Sequence, residues 1–184
     1  MLYYEPHEDT FLLEDVVRTE RLESPKVIVE VGCGSGHISR VLREMYPAAF
    51  VISTDVNPFA VQHASSALSR ANGEAVRTSI VAGIRAQIDV AFFNPPYIPS
   101  PPIRRMEWID RSWAGGEDGM EVIYMFLEET KDAPLRYLLV THFNRPKDLI
   151  REISMEHTVK VVGERKVLGE HLLVLRIEKI RSEA

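Results

Sequence analysis

Strand-length apolar runs alternate with segments of helical spacing along most of this chain. Such β–α alternation is typical of a parallel sheet with both faces covered, because a parallel crossover needs a helix-length connection. The sequence therefore predicts an α/β fold of the doubly wound, Rossmann-like kind. The apolar runs lie at residues 27–31, 50–53, 76–81, 88–93 and 137–141, and the helical segments at 8–21, 37–46, 58–72, 118–131 and 146–156.

The C-terminal part of the chain breaks this alternation. Residues 157–167 and 171–180 are both strand-like, and a short turn that contains Gly169 joins them. Two adjacent strands joined by a tight turn pair in the antiparallel direction. We therefore expect a hairpin at the edge of a seven-stranded sheet that is otherwise mostly parallel.

Length and composition are those of a single globular domain over residues 1–184. The chain is 45% hydrophobic and 27% charged, and a domain of this length buries roughly 70% of its unfolded surface. The net charge of −5 gives no general attraction to a polyanion, so nucleic acid is not the expected partner.

Cysteine usage and the N-terminus indicate the compartment. The single cysteine, Cys33, excludes an intrachain disulfide and a metal site built on cysteine pairs. The acidic N-terminus lacks the basic start of a signal peptide, and no apolar run approaches the ~18–20 residues of a membrane span. We expect a cytoplasmic protein without a membrane segment and without a bound metal.

A glycine-rich loop follows the first predicted strand. In the segment VIVEVGCGSGHIS, Gly32, Gly34 and Gly36 separate that strand from the start of a helix. Glycine permits a sharp turn and the close approach of another group. The spacing differs from that of dinucleotide folds, and the Lys-Ser/Thr pair of a phosphate loop is absent. A tight turn without a ligand is the alternative interpretation.

Two carboxylates favour a ligand beside this loop. Asp55 closes the second strand about twenty residues after the glycines, where a carboxylate can accept both hydroxyls of a ribose. Glu30 lies inside the first strand, a position that requires a hydrogen-bond donor or a cationic group nearby. Without a phosphate-binding cation, these features favour a nucleoside with a positive charge, such as S-adenosylmethionine.

The strand predicted at 88–93 ends in Asn94-Pro95-Pro96-Tyr97. Consecutive prolines fix φ near −65° and donate no N–H, so the carbonyls here are held rigidly. The side-chain oxygen of Asn94 and the Pro95 carbonyl can accept both hydrogens of a planar amino group, and Tyr97 can cover its face. This arrangement suits methylation of an amide or of an adenine amino nitrogen, and the motif alone leaves both open.

Five segments together resemble the short HemK-type protein-(glutamine-N5) methyltransferases of archaea and eukaryotes. Members of this family are class I S-adenosylmethionine-dependent enzymes that methylate the glutamine in the Gly-Gly-Gln motif of class 1 translation release factors. N6-adenine methyltransferases of DNA or RNA share only the Asn-Pro-Pro-Tyr motif and are the alternative. The five segments are YYEPHEDTFLL, VEVGCGSGHIS, TDVNPFAV, FFNPPYIPSPP and WAGGEDGMEVI.

The resemblance implies a role for each matched position. The N-terminal segment 1–23 would cover the cofactor, with Glu5 among the residues over its methionine end, and 113–119 would lie on the substrate side. The implied catalytic residues are Asn94, Pro95 and Tyr97. The implied cofactor contacts are Tyr4, Pro6, Thr10, Glu30, Gly32, Gly34, Gly36, Asp55, Val56 and Asn94.

The sequence departs from the family pattern at one position, and the resemblance implies one partner protein. The family often has a Thr-Asp pair facing the adenine amino group after the third strand, and Thr78-Ser79 stands there in this chain. Several such enzymes are activated by a small zinc-binding protein that pairs with a sheet edge. We expect the third strand, near 76–81, to be that edge, since it lies last in the usual strand order.

Overall fold

The computed structural model describes residues 2–68, 72–100 and 107–180, and its strands form one mixed sheet. The strands are β1 Val27–Val31, β2 Phe50–Asp55, β3 Gly73–Arg77, β4 Val90–Phe93, β5 Leu135–Thr141, β6 His157–Val167 and β7 Glu170–Lys179. Their order is β3-β2-β1-β4-β5-β7-β6. The first five are parallel, and β7 pairs antiparallel with both β5 and β6. The predicted sheet and its C-terminal hairpin are confirmed.

Helices cover both faces of the sheet. The hydrophobic side chains of β1 alternate between two cores, with Ile28 on the side of α1 and α2 and Val29 on the side of α4 and α5. Burial on both faces explains why this strand is a continuous apolar run in the sequence. The helices are α1 Glu8–Thr19, α2 His37–Met45, α3 Pro58–Leu68, α4 Glu121–Glu129 and α5 Pro146–Ile153, with short 3-10 turns at Asp110–Ser112 and His142–Asn144.

The predicted bounds of the third strand are wrong. The strand lies at Gly73–Arg77, three residues before its expected start at residue 76, and the chain leaves the strand at Thr78. The apolar residues Ile80 and Val81, which suggested the strand, are buried in the loop that follows it. An edge strand that is only half buried needs no apolar run, so its sequence pattern is weak.

The third strand forms one edge of the sheet, as expected. The carbonyl of Asn72 accepts from Val51 N at 3.0 Å, and Thr78 N donates to the Asp55 carbonyl at 3.0 Å. Backbone groups of a strand alternate in direction, so residues 73, 75 and 77 turn their N–H and C=O groups toward the open side.

The first helix is anchored on the C-terminal hairpin. Arg165 of β6 donates to Glu8 Oε2 at 2.7 Å and to Asp15 Oδ2 at 2.6 Å. A methyl group on Gly163 would lie 2.7 Å from Val16 Cγ2, so the helix sits directly on the β6 backbone. These contacts hold the N-terminal end of α1 beside the carboxyl ends of the parallel strands. Within the described residues, no helix has the length and apolar character to cross a membrane.

Candidate functional site

A cavity of about 1030 Å³ opens at the carboxyl ends of the parallel strands. This is the expected place for a ligand in an open α/β sheet, and the volume exceeds what a nucleoside alone needs. The structure brings most of the predicted site residues together in its lining: Tyr4, Thr10, Glu30, Gly32, Gly34, Asp55, Val56, Asn94, Pro95 and Tyr97. Glu5, Pro6 and Gly36 are not part of that lining.

The glycine loop is required by close packing as well as by its turn. Gly34 and Gly36 have φ of 49° and 72°, a region that side chains disfavour. A methyl group on Gly36 would lie 3.0 Å from Ala64 Cα in α3, and one on Gly34 would lie 3.3 Å from the Tyr4 carbonyl oxygen. The groups that approach this loop are therefore a helix and the N-terminal segment of the chain.

Asp55 ties the end of β2 to the glycine loop. Its Oδ2 accepts from Gly34 N at 3.0 Å, and its Oδ1 accepts from Asn57 N at 2.8 Å. Burial raises the pKa of this carboxyl, and the backbone N–H groups oppose that shift. A carboxylate oxygen has more than one acceptor site, so both oxygens keep capacity for the hydroxyls of a ribose.

Glu30 is buried in β1 and lines the cavity. Its carboxyl accepts a hydrogen bond from Ser39 Oγ, which also contacts Ser53 Oγ. Burial raises the pKa of Glu30 to about 8, and the bond from Ser39 opposes this shift. Burial therefore favours the protonated, uncharged form of this carboxyl, and a cation bound beside it would favour the charged form.

The N-terminal segment crosses the cavity as a strap, residues 2–7. The carbonyl of Leu2 accepts from Asn57 Nδ2 at 2.8 Å, and Tyr3 Oη lies 3.1 Å from His63 Nδ1. The strap is thus attached to the β2–α3 region, directly over the glycine loop. Tyr3, Tyr4 and His7 of the strap line the cavity, and the covering of a cofactor by this segment stays a prediction.

A buried carboxylate that sequence reasoning missed holds the acceptor residue Asn94. Asp9 is 3% exposed, and its Oδ2 accepts from Asn94 Nδ2 at 2.9 Å. Tyr4 and Tyr97 hydroxyls donate to the same oxygen at 3.0 and 3.3 Å, and Thr10 N donates to Oδ1 at 2.7 Å. Because Asp9 accepts, the Asn94 atom that faces it must be the amide nitrogen. Asn94 Oδ1 is then buried without a hydrogen-bond donor among the described residues.

The two tyrosines act as hydrogen-bond donors in this cluster. Burial, followed by the charge of Asp9, raises the pKa of both Tyr4 and Tyr97 well above its ordinary value. Tyr97 lines the cavity, where we expected its ring to cover a planar group, and its hydroxyl has the additional role of holding Asp9. Asp9 precedes Leu12 and Leu13 by three and four residues and therefore lies on the same, buried face of α1. A charged residue on that face is the sequence pattern that could have indicated its role.

The segment 113–119 packs against the Asn-Pro-Pro-Tyr turn. A methyl group on Gly115 would lie 2.3 Å from the Pro96 carbonyl oxygen, and one on Gly119 would lie 2.4 Å from the Tyr97 carbonyl oxygen. Only glycine allows this backbone-to-backbone approach. The glycines of this segment therefore hold the acceptor turn in place, which a flexible loop would not do.

The opposite end of the cavity has an aromatic side chain that sequence reasoning also missed. Thr78 and Ser79 follow β3 and line the cavity, and Thr78 Oγ1 donates to the Ala82 carbonyl at 2.8 Å. Trp108 lies in the same lining, with the Arg77 and Arg111 guanidinium carbons 5.4 and 5.6 Å from its ring centroid. These distances are those of cation–π contacts.

Comparison with known proteins agrees with this geometry. Residues 9–102, more than half of the chain, match the family model described as Methyltransferase small domain. The chain is 34% identical to human Methyltransferase HEMK2, covering 96% of this chain and 89% of that protein. It belongs to the HemK-type methyltransferase family.

Two further relatives extend the likeness. A protein of Methanocaldococcus jannaschii named as a putative protein N5-glutamine methyltransferase is 27% identical over 94% of this chain and 89% of its own length. The solved E. cuniculi Mtq2–Trm112 complex, described as responsible for methylation of the eRF1 translation termination factor, has a TM-score of 0.79. Its matching chain is 34% identical, and the match covers 98% of this chain and 100% of that one. The resemblance seen in the sequence is confirmed.

Methyltransferases of this family and fold use S-adenosylmethionine as the methyl donor. The residues present fit that cofactor. Asp55 offers acceptors to a ribose, Glu30 offers a buried carboxyl to a cationic group, and Asn94 lines the same cavity. Cofactor contacts by the individual residues remain predictions from the resemblance.

Glu30→Gln tests the titration of this buried carboxyl. The pKa of Glu30 in the folded protein, about 8, lies above the ordinary value of 4.5. The stabilisation that protonated Glu30 contributes is therefore fully present below pH 4.5 and is lost as the pH rises through 8. We expect the ligand-free Gln variant to match the unaltered protein near pH 4.5 and to melt at higher temperature at pH 8.5. Thermal melts across this range measure the difference, and Glu156→Gln at an exposed position serves as control. Parallel curves for Glu30→Gln and the unaltered protein would contradict the assignment.

Gly119→Ala tests the packing of the acceptor turn. Gly119 and Gly83 both have positive φ, 71° and 80°, but a methyl group on Gly83 meets nothing within 4 Å. The control Gly83→Ala should cost about 1–2 kcal/mol from backbone strain alone. We expect Gly119→Ala to lower the free energy of unfolding by at least about 2 kcal/mol more in urea titrations. Equal losses would show that the contact with Tyr97 is unimportant.

Proposed function

We propose that this chain transfers a methyl group from S-adenosylmethionine to the side-chain nitrogen of a protein glutamine. The substrate that we propose is the Gly-Gly-Gln motif of a class 1 translation release factor. The observation that carries this proposal is that Asn94 lines the cavity and that its Oδ1 is a buried acceptor without a donor among the described residues. The names of the M. jannaschii relative and of the E. cuniculi complex, which specify glutamine and eRF1, support the substrate.

The proposed chemistry is positioning of a weak nucleophile. An amide nitrogen has a delocalised lone pair, and Asn94 Oδ1 with the Pro95 carbonyl can bind both of its hydrogens and so orient that lone pair. Asp55 and Glu30 would hold S-adenosylmethionine, which would supply an electrophilic methyl carbon to the oriented nitrogen. Holding the reacting groups in line is worth roughly 7–11 kcal/mol. The surplus proton of the methylated amide is acidic enough to pass to water.

Asp9 acts on this reaction through Asn94. Its bond to Asn94 Nδ2 fixes which end of the amide faces the cavity. The hydroxyls of Tyr4 and Tyr97 donate hydrogen bonds to Asp9 and occupy its acceptor sites. Neither tyrosine therefore acts as a base in the proposed reaction. Asp9 is therefore a positioning residue in this proposal, and Asn94 contacts the substrate.

The same acceptors account for selectivity. A glutamate carboxylate would bring no hydrogens to Asn94 Oδ1 and the Pro95 carbonyl. Leaving such buried groups unpaired costs about 1–3 kcal/mol each, and the like charge of Asp9 adds to the cost. An adenine amino group would satisfy the acceptors as well, but the acidic chain offers no general attraction to nucleic acid.

Asn94→Ala separates substrate binding from cofactor binding. We expect methyl transfer to a release factor to fall at least about 100-fold, because the amide loses its fixed orientation. The affinity for S-adenosylhomocysteine, measured by calorimetry, should stay within a few fold, whereas Asp55→Ala should weaken it. Labelled S-adenosylmethionine provides the activity assay, with a release factor whose Gly-Gly-Gln glutamine is replaced as the control substrate. Label on that control, or on nucleic acid alone, would refute the proposed function.

We further propose that a small zinc-binding activator pairs with the open edge of β3. The backbone groups of residues 73, 75 and 77, which face away from β2, support strand addition at this edge, and the E. cuniculi structure contains Trm112 in complex with Mtq2. Phe59 at the start of α3, the helix packed against β3, is 38% exposed. Covering this surface would stabilise the neighbouring cofactor end of the cavity.

Ala75→Pro tests this pairing. Proline at residue 75 removes an N–H that faces away from β2, so the sheet itself keeps its hydrogen bonds. We expect coexpression with the activator to raise the solubility and the cofactor affinity of the unaltered chain and of Ala75→Thr, but not of Ala75→Pro. Pull-down and calorimetry measure both effects, and melts of the isolated variants check folding. Equal gains in the proline and threonine variants would exclude strand pairing at this position.

A further inference from the structure

A second residue of the cavity lining has a buried polar atom without a partner among the described residues. Among the described residues, the lining includes four buried hydroxyl side chains: Thr10, Thr54, Tyr97 and Ser100. The first three donate to protein acceptors, namely Asp9 Oδ1 at 3.4 Å, the Ile80 carbonyl at 2.7 Å and Asp9 Oδ2 at 3.3 Å. Ser100 Oγ has no partner among the described residues, although Ser100 is only 4% exposed.

The backbone holds Ser100 in a fixed position. Ser100 N donates to the Gly116 carbonyl at 2.7 Å, and Ile98 N donates to the Trp113 carbonyl at 3.0 Å. Gly115 N returns a bond to the Ile98 carbonyl at 2.8 Å. This short parallel pairing is continuous with the turn that carries Asn94, so the free hydroxyl and the free acceptor belong to one rigid unit.

We propose that the Ser100 hydroxyl binds the carbonyl oxygen of the substrate amide. A primary amide offers two N–H donors and one carbonyl acceptor, so a site that satisfies it needs two acceptors and one donor. Asn94 Oδ1 and the Pro95 carbonyl supply the acceptors. Ser100 supplies a donor that no described residue already uses. This inference rests on the proposed glutamine substrate and names the residue that completes its recognition.

The hydroxyl serves binding and orientation rather than activation. Donation to the carbonyl draws electron density from the amide nitrogen, which does not make it a better nucleophile. Removing the hydroxyl should therefore raise KM for the substrate and leave kcat nearly unchanged. A buried hydroxyl without a partner also gives the free protein no stability, so its loss should not lower the melting temperature. A merely structural serine would show the opposite pattern.

Ser100→Ala and Ser100→Thr test the inference on a Gly-Gly-Gln peptide. We expect Ser100→Ala to raise KM about 3- to 10-fold with kcat within twofold, and Ser100→Thr, which keeps the hydroxyl, to restore KM. The affinity for S-adenosylhomocysteine should not change. Ser154→Ala, at an exposed position in the loop after α5, is the matched loss of a hydroxyl. An unchanged KM in Ser100→Ala, or a lower melting temperature with a parallel loss of kcat, would overturn the inference.

A second peptide locates the carbonyl that Ser100 binds. Ornithine in place of the glutamine keeps a terminal nitrogen and lacks the side-chain carbonyl. As an inhibitor, this peptide should bind the unaltered protein and Ser100→Ala equally well. If Ser100→Ala instead weakened the binding of both peptides equally, the hydroxyl would bind a main-chain carbonyl of the substrate. Binding of the glutamine peptide to the cofactor-loaded protein is measured by anisotropy. No binding and no transfer with the unaltered protein would refute the glutamine function itself, whereas transfer with an unchanged KM in Ser100→Ala would refute only the role of Ser100.

Discussion

The buried carboxylate of Asp9 connects the parts of the site that come from distant parts of the sequence. It accepts hydrogen bonds from Tyr4 of the strap, from the start of α1, and from Asn94 and Tyr97 of the turn after β4. A carboxylate that is 3% exposed is tolerated only with such donors. Because these donors lie on three different elements, the position of the strap and the orientation of Asn94 depend on the same carboxylate.

The sheet explains why these elements meet. Parallel strands place all of their carboxyl ends at one edge, so the glycine loop after β1, Asp55 at the end of β2 and Asn94 after β4 converge on one cavity. The β6–β7 hairpin then fixes α1 through Arg165, which brings Asp9 to that same edge. The antiparallel hairpin thus positions part of the site although the strands themselves lie far from the cofactor loop in sheet order.

Residues whose role depends on a local sequence pattern could be predicted from the sequence. Glycine spacing, an acid after a strand and a fixed Asn-Pro-Pro-Tyr turn each depend on local patterns, and the residues they indicated line one cavity apart from Gly36. Their contacts with a cofactor or substrate stay predictions. The bounds of β3 failed because an edge strand such as Gly73–Arg77 is not buried on both faces and needs no apolar run. Asp9 and Ser100 were missed for another reason. The place of Asp9 on the buried face of α1 was a signal in the sequence, but its donors lie on other elements, and only the fold shows them. The fold likewise shows that Ser100 Oγ has no partner among the described residues.

Several departures from ordinary protein interiors lie in this one cavity. Glu30 is buried with a pKa raised to about 8, Asp9 is a buried carboxylate, and Asn94 Oδ1 and Ser100 Oγ are buried without partners in the part of the chain that the structure describes. Each would be unfavourable in a protein selected for stability alone, and such violations concentrate at functional sites. The unpaired atoms lie on the turn that continues β4, whereas the buried glutamate lies beside the glycine loop. The buried glutamate is therefore the expected contact of a cation, and the unpaired atoms are the expected contacts of an uncharged amide. Methyl transfer from a sulfonium to glutamine brings these two groups together.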